Sequence, residues 1–213
     1  MKVYHPRTND QGGGVEIKEP HQPTALTAWD NPDQLATVTP GLPMPARVGG
    51  LAVATWATAP TSSAGWNHLA ATMAFDEPLI KTAPGRLPAS GALVVEPDGR
   101  VWVISPSNRF GGYANTFPKG KNELAQGLCL RANALKEVME EAGLQVELTG
   151  FLCDSVRSTS ITRYYLARRL GGNPADMCWE TQAVHLVPVA QLGTFVSHPN
   201  DQSILAAMQN AKI

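Results

Sequence analysis

The chain has 213 residues, of which 43% are hydrophobic and 16% charged, with a net charge of −1. That is room for one large domain, or one domain with an extension, around a sizeable core. The near-neutral balance gives no broad basic field, which argues against nucleic-acid binding as the main activity, and no run approaches the ~20 apolar residues of a membrane span.

The three cysteines, Cys129, Cys153 and Cys178, form no CxxC pair. They are read as reduced thiols, neither a disulfide framework nor a zinc knuckle. The opening MKVYHPRTND has no apolar run after its lysine, so a cytoplasmic setting is expected.

Residues 1–86 are rich in proline, glycine, alanine and threonine, as in TPGLPMPAR and TAPTSSAG. Prolines at that density break long helices and central strands. GGLAVATWAT (49–58) reads as a short strand and AGWNHLAATMA (64–74) as a short helix. Trp29, Trp56 and Trp66 argue for an ordered extension that wraps the main domain or a partner subunit. Trp56 and Trp66 suit either a cover over an active site or the interface of a homodimer.

A regular pattern begins at Leu87. SGALVVE (90–96) and RVWVISPS (100–107), joined through Asp98-Gly99, predict a β-hairpin. A glycine-rich loop, NRFGGYANTFPKGK (108–121), carries Arg109, Phe110, Tyr113, Lys119 and Lys121. A helix is predicted over 128–142 from apolar residues at three- and four-residue spacing, with Gly143 as its stop. Strands follow at 145–153, 158–169 and 183–188, then a helix over 200–211 capped by Asn200 or Asp201. This order predicts an α/β sandwich with a mixed sheet, divided as an extension (1–86) and a main domain (87–213).

The chemistry concentrates in the helix segment KEVMEEAGL (136–144). Glu137 lies i,i+3 from Glu140 and i,i+4 from Glu141, so the three carboxylates are neighbours. A solvated face accommodates them with mild repulsion that Lys136 partly relieves; a hard divalent cation relieves more. The upstream FPKGK places a glycine, whose backbone can approach a ligand closely, beside two lysines suited to phosphate oxygens. Metal-binding carboxylates next to phosphate donors are what pyrophosphate cleavage requires.

The segment resembles the Nudix box, G-x5-E-x7-R-E-U-x-E-E-x-G-U with U a bulky aliphatic. Lys136 to Leu144 supply its C-terminal part with lysine for arginine, and Gly120 its opening glycine. The resemblance covers about residues 87–213. It implies a Nudix-type α/β/α sandwich that hydrolyses a nucleoside diphosphate linked to another moiety, with Mg²⁺ or Mn²⁺ held by Glu137, Glu140, Glu141 and the Gly120 carbonyl. Lys136 is then expected to orient Glu137 or Glu140. Lys119 and Lys121 are expected at phosphate, and Arg109 and Tyr113 at the small-molecule, nucleotide-type substrate. Aromatics of this loop can stack on a base or pack in the core. Glu180 is a candidate general base or a surface glutamate.

The chain departs from the pattern in three places. Gln126 stands where a glutamate is expected, nine residues (127–135) separate it from Lys136, and lysine lacks arginine's planar fork. Glu123 is an alternative carboxylate. These departures motivate a second reading, a Nudix-fold module that binds nucleotide with weak or no turnover.

Overall fold

The structure is a computed structural model, and it describes residues 2–81, 83–122 and 127–211. In chain order the elements are β1 (Val3–Tyr4), β2 (Glu16–Ile17), β3 (Ala36–Val38), β4 (Arg47–Val48), β5 (Leu51–Ala52) and α1 (Ser63–Ala71). Then come β6 (Leu87–Val95), β7 (Val101–Pro106), β8 (Lys119–Lys121), α2 (Leu130–Ala142), β9 (Leu144–Val156), β10 (Ser160–Gly172), β11 (Thr181–Val187), α3 (Val189–Phe195) and α4 (Gln202–Asn210).

A seven-stranded sheet in the order β3-β11-β7-β6-β10-β9, with β8 also paired to β6, forms the middle layer. β6 and β10 run parallel from Ser160↔Leu87 to Arg168↔Val95, while the other pairings are antiparallel, so the sheet is mixed. Alternation along each strand sends side chains to two cores. Ala92, Val94, Trp102, Ile104, Tyr165, Val184 and Leu186 pack with α2 on one face. Leu93, Val101, Val103, Tyr164 and Val187 pack with α3 and α4 on the other. The architecture is therefore an α/β/α sandwich.

The hairpin expected at Asp98-Gly99 forms, but its strands are paired only at Val95↔Val101. Beyond that point the returning loop enters the gap. Thr116 bridges to Ile104 on β7, and β8 pairs with Ala89, Ser90 and Gly91 of β6. A Cβ on Gly91 would overlap the Pro118 carbonyl, so the insertion depends on that glycine. The insertion lays Lys119 and Gly120 against α2, at Asn133, Glu137 and Glu141.

Residues 2–81 join this body instead of standing apart. β3 extends the sheet at β11, with Thr37 opposite His185. Trp29 lies 5.8 Å from Trp102, centroid to centroid, and Arg100 donates to the carbonyls of Ala28, Trp29 and Asn31. The helix expected at 64–74 is α1. The strand expected over 49–58 is reduced to β5, which pairs with β4 just before it, and a bridge from Ala54 to Gly172. Trp56 and Trp66 stack edge to face at 5.6 Å and pack in the core shared with α2.

Two other expectations need correction. The last helix is not capped by the side chain of Asn200 or Asp201; its first residue is Gln202, and the buried Asp201 carboxylate accepts from Arg157. A short helix, α3, follows β11 where the sequence suggested none, because Pro188 and Gly193 hide its period. Among the described residues no helix is long and apolar enough to cross a membrane.

Candidate active site

Helix α2 stops at Gly143, which is left-handed (φ 66°) and so close to the Asn173 carbonyl that no Cβ fits. Its apolar stripe, Ala132, Leu135, Val138 and Ala142, is fully buried as the periodicity requires. The acidic side is not a solvated face. Glu137 and Glu141 are 7% and 8% exposed, because β8 crosses that side of the helix. Glu140 keeps about a third of its side chain in water and accepts from Lys136 Nζ at 2.8 Å.

Contact between β8 and α2 is made by backbone. A Cβ on Gly120 would overlap the Glu137 carboxylate, so only glycine lets the strand lie against it. Lys119 N–H donates to Glu141 Oε2 at 2.6 Å. Asn133, one turn before Glu137 on α2, donates through Nδ2 to the Gly120 carbonyl at 3.3 Å and to Ser90 Oγ at 3.0 Å. Its Oδ1 is buried with no hydrogen-bond partner among the described residues. Sequence reasoning missed Asn133, although it lies i,i+4 from Glu137 in a helix that was legible.

Electrostatics follow from this burial. Desolvation raises Glu137 well above the usual carboxylate range; Glu141, Glu140 and Glu180 push the same way and Lys136 opposes them. Desolvation also raises Glu141 to about 7, against the charge and backbone N–H of Lys119. Glu180 is raised by partial burial, then by Glu140 and Asp10. It stands just before β11, its carbonyl accepting from Ser107 N at 2.7 Å. Asp10, from the loop between β1 and β2, accepts from Trp179 Nε1 at 3.1 Å. The amino-terminal segment thus borders the acidic cluster, a placement with no signal in the sequence.

The remaining candidates separate. Lys119 Nζ lies 5.1 Å from the centroid of the Tyr113 ring, and Lys121 ends β8 exposed. Tyr113 is buried; its hydroxyl accepts from Arg157 and Asn200, and its ring stacks on His198 at 3.9 Å. Arg109 is exposed and paired with Glu19 at 2.8 Å. Glu123 and Gln126 lie outside the described residues.

The donor set fits a hard divalent cation. Glu137 and Glu141 are carboxylates held out of water with like-charged neighbours, beside a backbone carbonyl in a cradle that a Cβ would fill. Among the described residues no three acidic, histidine or cysteine groups already converge on one point. Glu140 is turned to Lys136 and Glu141 to the Lys119 N–H.

The NUDIX domain family matches residues 85–208 of the chain. Solved structures of similar fold include a UDP-X diphosphatase (18% identity, 64% of this chain and 68% of that one, TM-score 0.48). An ADP-ribose pyrophosphatase from Streptococcus suis is 21% identical over 59% of this chain and 90% of its own, with a TM-score of 0.45. An Ap4A hydrolase from C. elegans is 15% identical over 59% and 97%, with a TM-score of 0.48. No curated protein matches the chain.

Proposed function

This chain belongs to the Nudix family through residues 85–208, and from that premise we propose that it hydrolyses a phosphoanhydride bond in a nucleoside diphosphate linked to another moiety. The observation that carries this reading is the pair of buried carboxylates, Glu137 and Glu141, pressed against the backbone of Lys119 and Gly120. Buried carboxylates without a matching cation are costly. A fold that retains them has a use for their charge.

Glu137, Glu140, Glu141 and the Gly120 carbonyl would hold Mg²⁺ or Mn²⁺. When bound, such an ion neutralises phosphate charge and lowers the pKa of an attacking water. The chain's own groups do the rest. Lys136 holds Glu140 through a 2.8 Å ion pair, the role expected of the box arginine. Lys119, whose charge already acts on Glu141, is placed to meet phosphate oxygens. Glu180, whose carboxyl is raised by partial burial and by Glu140, would accept the proton of the attacking water.

The second reading, nucleotide binding with weak turnover, is favoured by the same Lys136–Glu140 pair, since a lysine that keeps Glu140 for itself weakens the ligand set. One experiment separates them. The purified protein is incubated with a broad panel of nucleoside diphosphate derivatives and Mg²⁺ or Mn²⁺, beside a Glu140→Gln/Glu141→Gln control. Metal-dependent turnover that vanishes in the control is the expected result. Nucleotide binding with no turnover on any substrate would favour the binding module.

A further inference from the structure

The loop from Ser107 to Gly112 gathers four left-handed residues. Asn108 (φ 53°) and Arg109 (φ 55°) are consecutive left-handed residues and the only non-glycine positive-φ positions among the described residues; Gly111 (φ 67°) and Gly112 (φ 83°) follow. Non-glycine residues stay in this region only where their surroundings hold them, and such strain concentrates at ligand clamps and active sites.

The surroundings are specific. Asn108 N–H donates to Gln182 Oε1 at 2.9 Å, Asn108 Nδ2 donates to the Glu16 carbonyl at 2.8 Å, and Lys18 N–H donates to Asn108 Oδ1 at 2.9 Å. Arg109 adds its ion pair with Glu19. Strand β2 and the residues after it therefore pin the loop from outside.

Both ends of the loop are anchored at the acidic site. Ser107 binds the carbonyls of Glu180 and Trp179, through its N–H at 2.7 Å and its hydroxyl at 2.6 Å. At the other end, the Tyr113 ring lies beneath Lys119 Nζ. Between these anchors Phe110 is 82% exposed, and no aromatic ring among the described residues touches it. Its neighbour in the loop, Tyr113, is buried and fully engaged. The constrained turn thus holds an aromatic face out to solvent at the rim of a site proposed to bind phosphates.

Resting on the phosphoanhydride reading above, we propose that Phe110 is the stacking platform for the nucleobase of the substrate, with Asn108 as the positioning residue that holds it at the rim. Every base has a π-face, so such a platform selects for a planar ring without choosing among bases. Specificity for the organic half would then lie in a loop outside the carboxylate cluster.

The test is equilibrium binding by calorimetry to the full chain with Mg²⁺, using ADP, UDP and inorganic pyrophosphate as probes. Phe110→Ala, at an exposed position, is expected to weaken ADP and UDP about tenfold or more and to leave pyrophosphate unchanged. Phe110→Trp is expected to retain nucleotide affinity. Asn108→Ala is expected to follow Phe110→Ala for the nucleotides and the wild type for pyrophosphate, a split that general destabilisation does not produce. Wild-type affinity for nucleotides in Phe110→Ala, or equal losses for nucleotides and pyrophosphate, would overturn the proposal. So would a wild-type protein that binds pyrophosphate as tightly as ADP. A wild-type protein that binds none of the three probes would instead overturn the functional reading on which it rests.

Discussion

Two carboxylate clusters of this molecule are drawn out of water in opposite ways. At the edge formed by β9 and β10, Glu77 accepts from Arg131, Arg163 and Tyr165, while Arg163 also forks onto Asp154. Burial alone would raise Glu77, but the hydrogen bonds from Tyr165 and Arg131 and the arginine charges take it below the usual carboxylate range. On α2, Glu137 and Glu141 are more deeply buried, are surrounded by other carboxylates, and are raised. The first arrangement is complete as it stands and clips residues 73–78 onto the sandwich. The second stays raised although Lys136 and Lys119 oppose the shift, and under the function proposed above a divalent cation would complete it.

That contrast can be broken or sharpened by mutation. The largest effect is expected on activity. Removing carboxylates at the unmatched cluster with Glu140→Gln/Glu141→Gln should reduce metal-dependent turnover by at least about 100-fold, read as phosphate-bond cleavage under saturating metal, with little change in far-UV circular dichroism. The next is on stability. Arg163→Ala takes the guanidinium fork from Asp154 and one of three donors from Glu77, and should cost about 3 kcal/mol in urea unfolding while leaving the stabilisation by Mn²⁺ intact. A third substitution reverses the sign. Glu137→Gln removes a carboxyl whose ionisation burial and its acidic neighbours oppose, so the metal-free protein at pH 8 should melt above the wild type but gain less from Mn²⁺. An unchanged Mn²⁺ response in this variant would detach Glu137 from the metal.

The last effect lies away from both regions and appears only as a slope against pH. His185 is buried between Thr37 and Ser105, its ring nitrogens 2.9 Å and 2.8 Å from their hydroxyls, and burial, helped by His21, lowers it to about 3. Between pH 3 and 6.5 the unfolded chain binds a proton there and the folded one does not. Stability from this group is therefore complete above pH 6.5 and falls as the solution is acidified, by up to about 1.4 kcal/mol per pH unit. The acid limb of a stability–pH curve should be shallower by this one proton in His185→Gln than in the wild type.

How much of this was legible in the sequence depended on the range of the interaction. Helix α2, its glycine stop and its three glutamates were readable, because i,i+4 spacing and a left-handed cap are local. The Asp98-Gly99 turn was equally local. The sequence could not show that β8 splits the hairpin, since Lys119-Gly120-Lys121 is too short to carry an alternation. For the same reason helical spacing alone left a solvated face open for Glu137 and Glu141; the element that buries them lies outside the helix. The extension's strand β3 and its Thr37–His185 contact join residues 148 apart in the chain. In the loop 107–113, Phe110 and Tyr113 looked alike as candidate aromatics. Arg157, Asn200 and His198 claim one of them, while the other is left exposed among the described residues, and those partners lie 44 to 87 residues downstream of Tyr113.

The central claim, that the unmatched carboxylates of α2 form a divalent-cation site, is tested most directly by the melting temperature with and without Mn²⁺ at pH 5 and pH 8. Burial raises Glu141 to about 7 and Glu137 in the same direction, so the folded chain holds extra protons at pH 5 and loses them towards pH 8. The metal-free protein should therefore lose stability across that range. Mn²⁺ should restore it, with a shift that is larger at pH 8 than at pH 5 and absent in Glu140→Gln/Glu141→Gln. A Mn²⁺ shift that is missing, or equal at both pH values and retained in the double variant, would contradict the account.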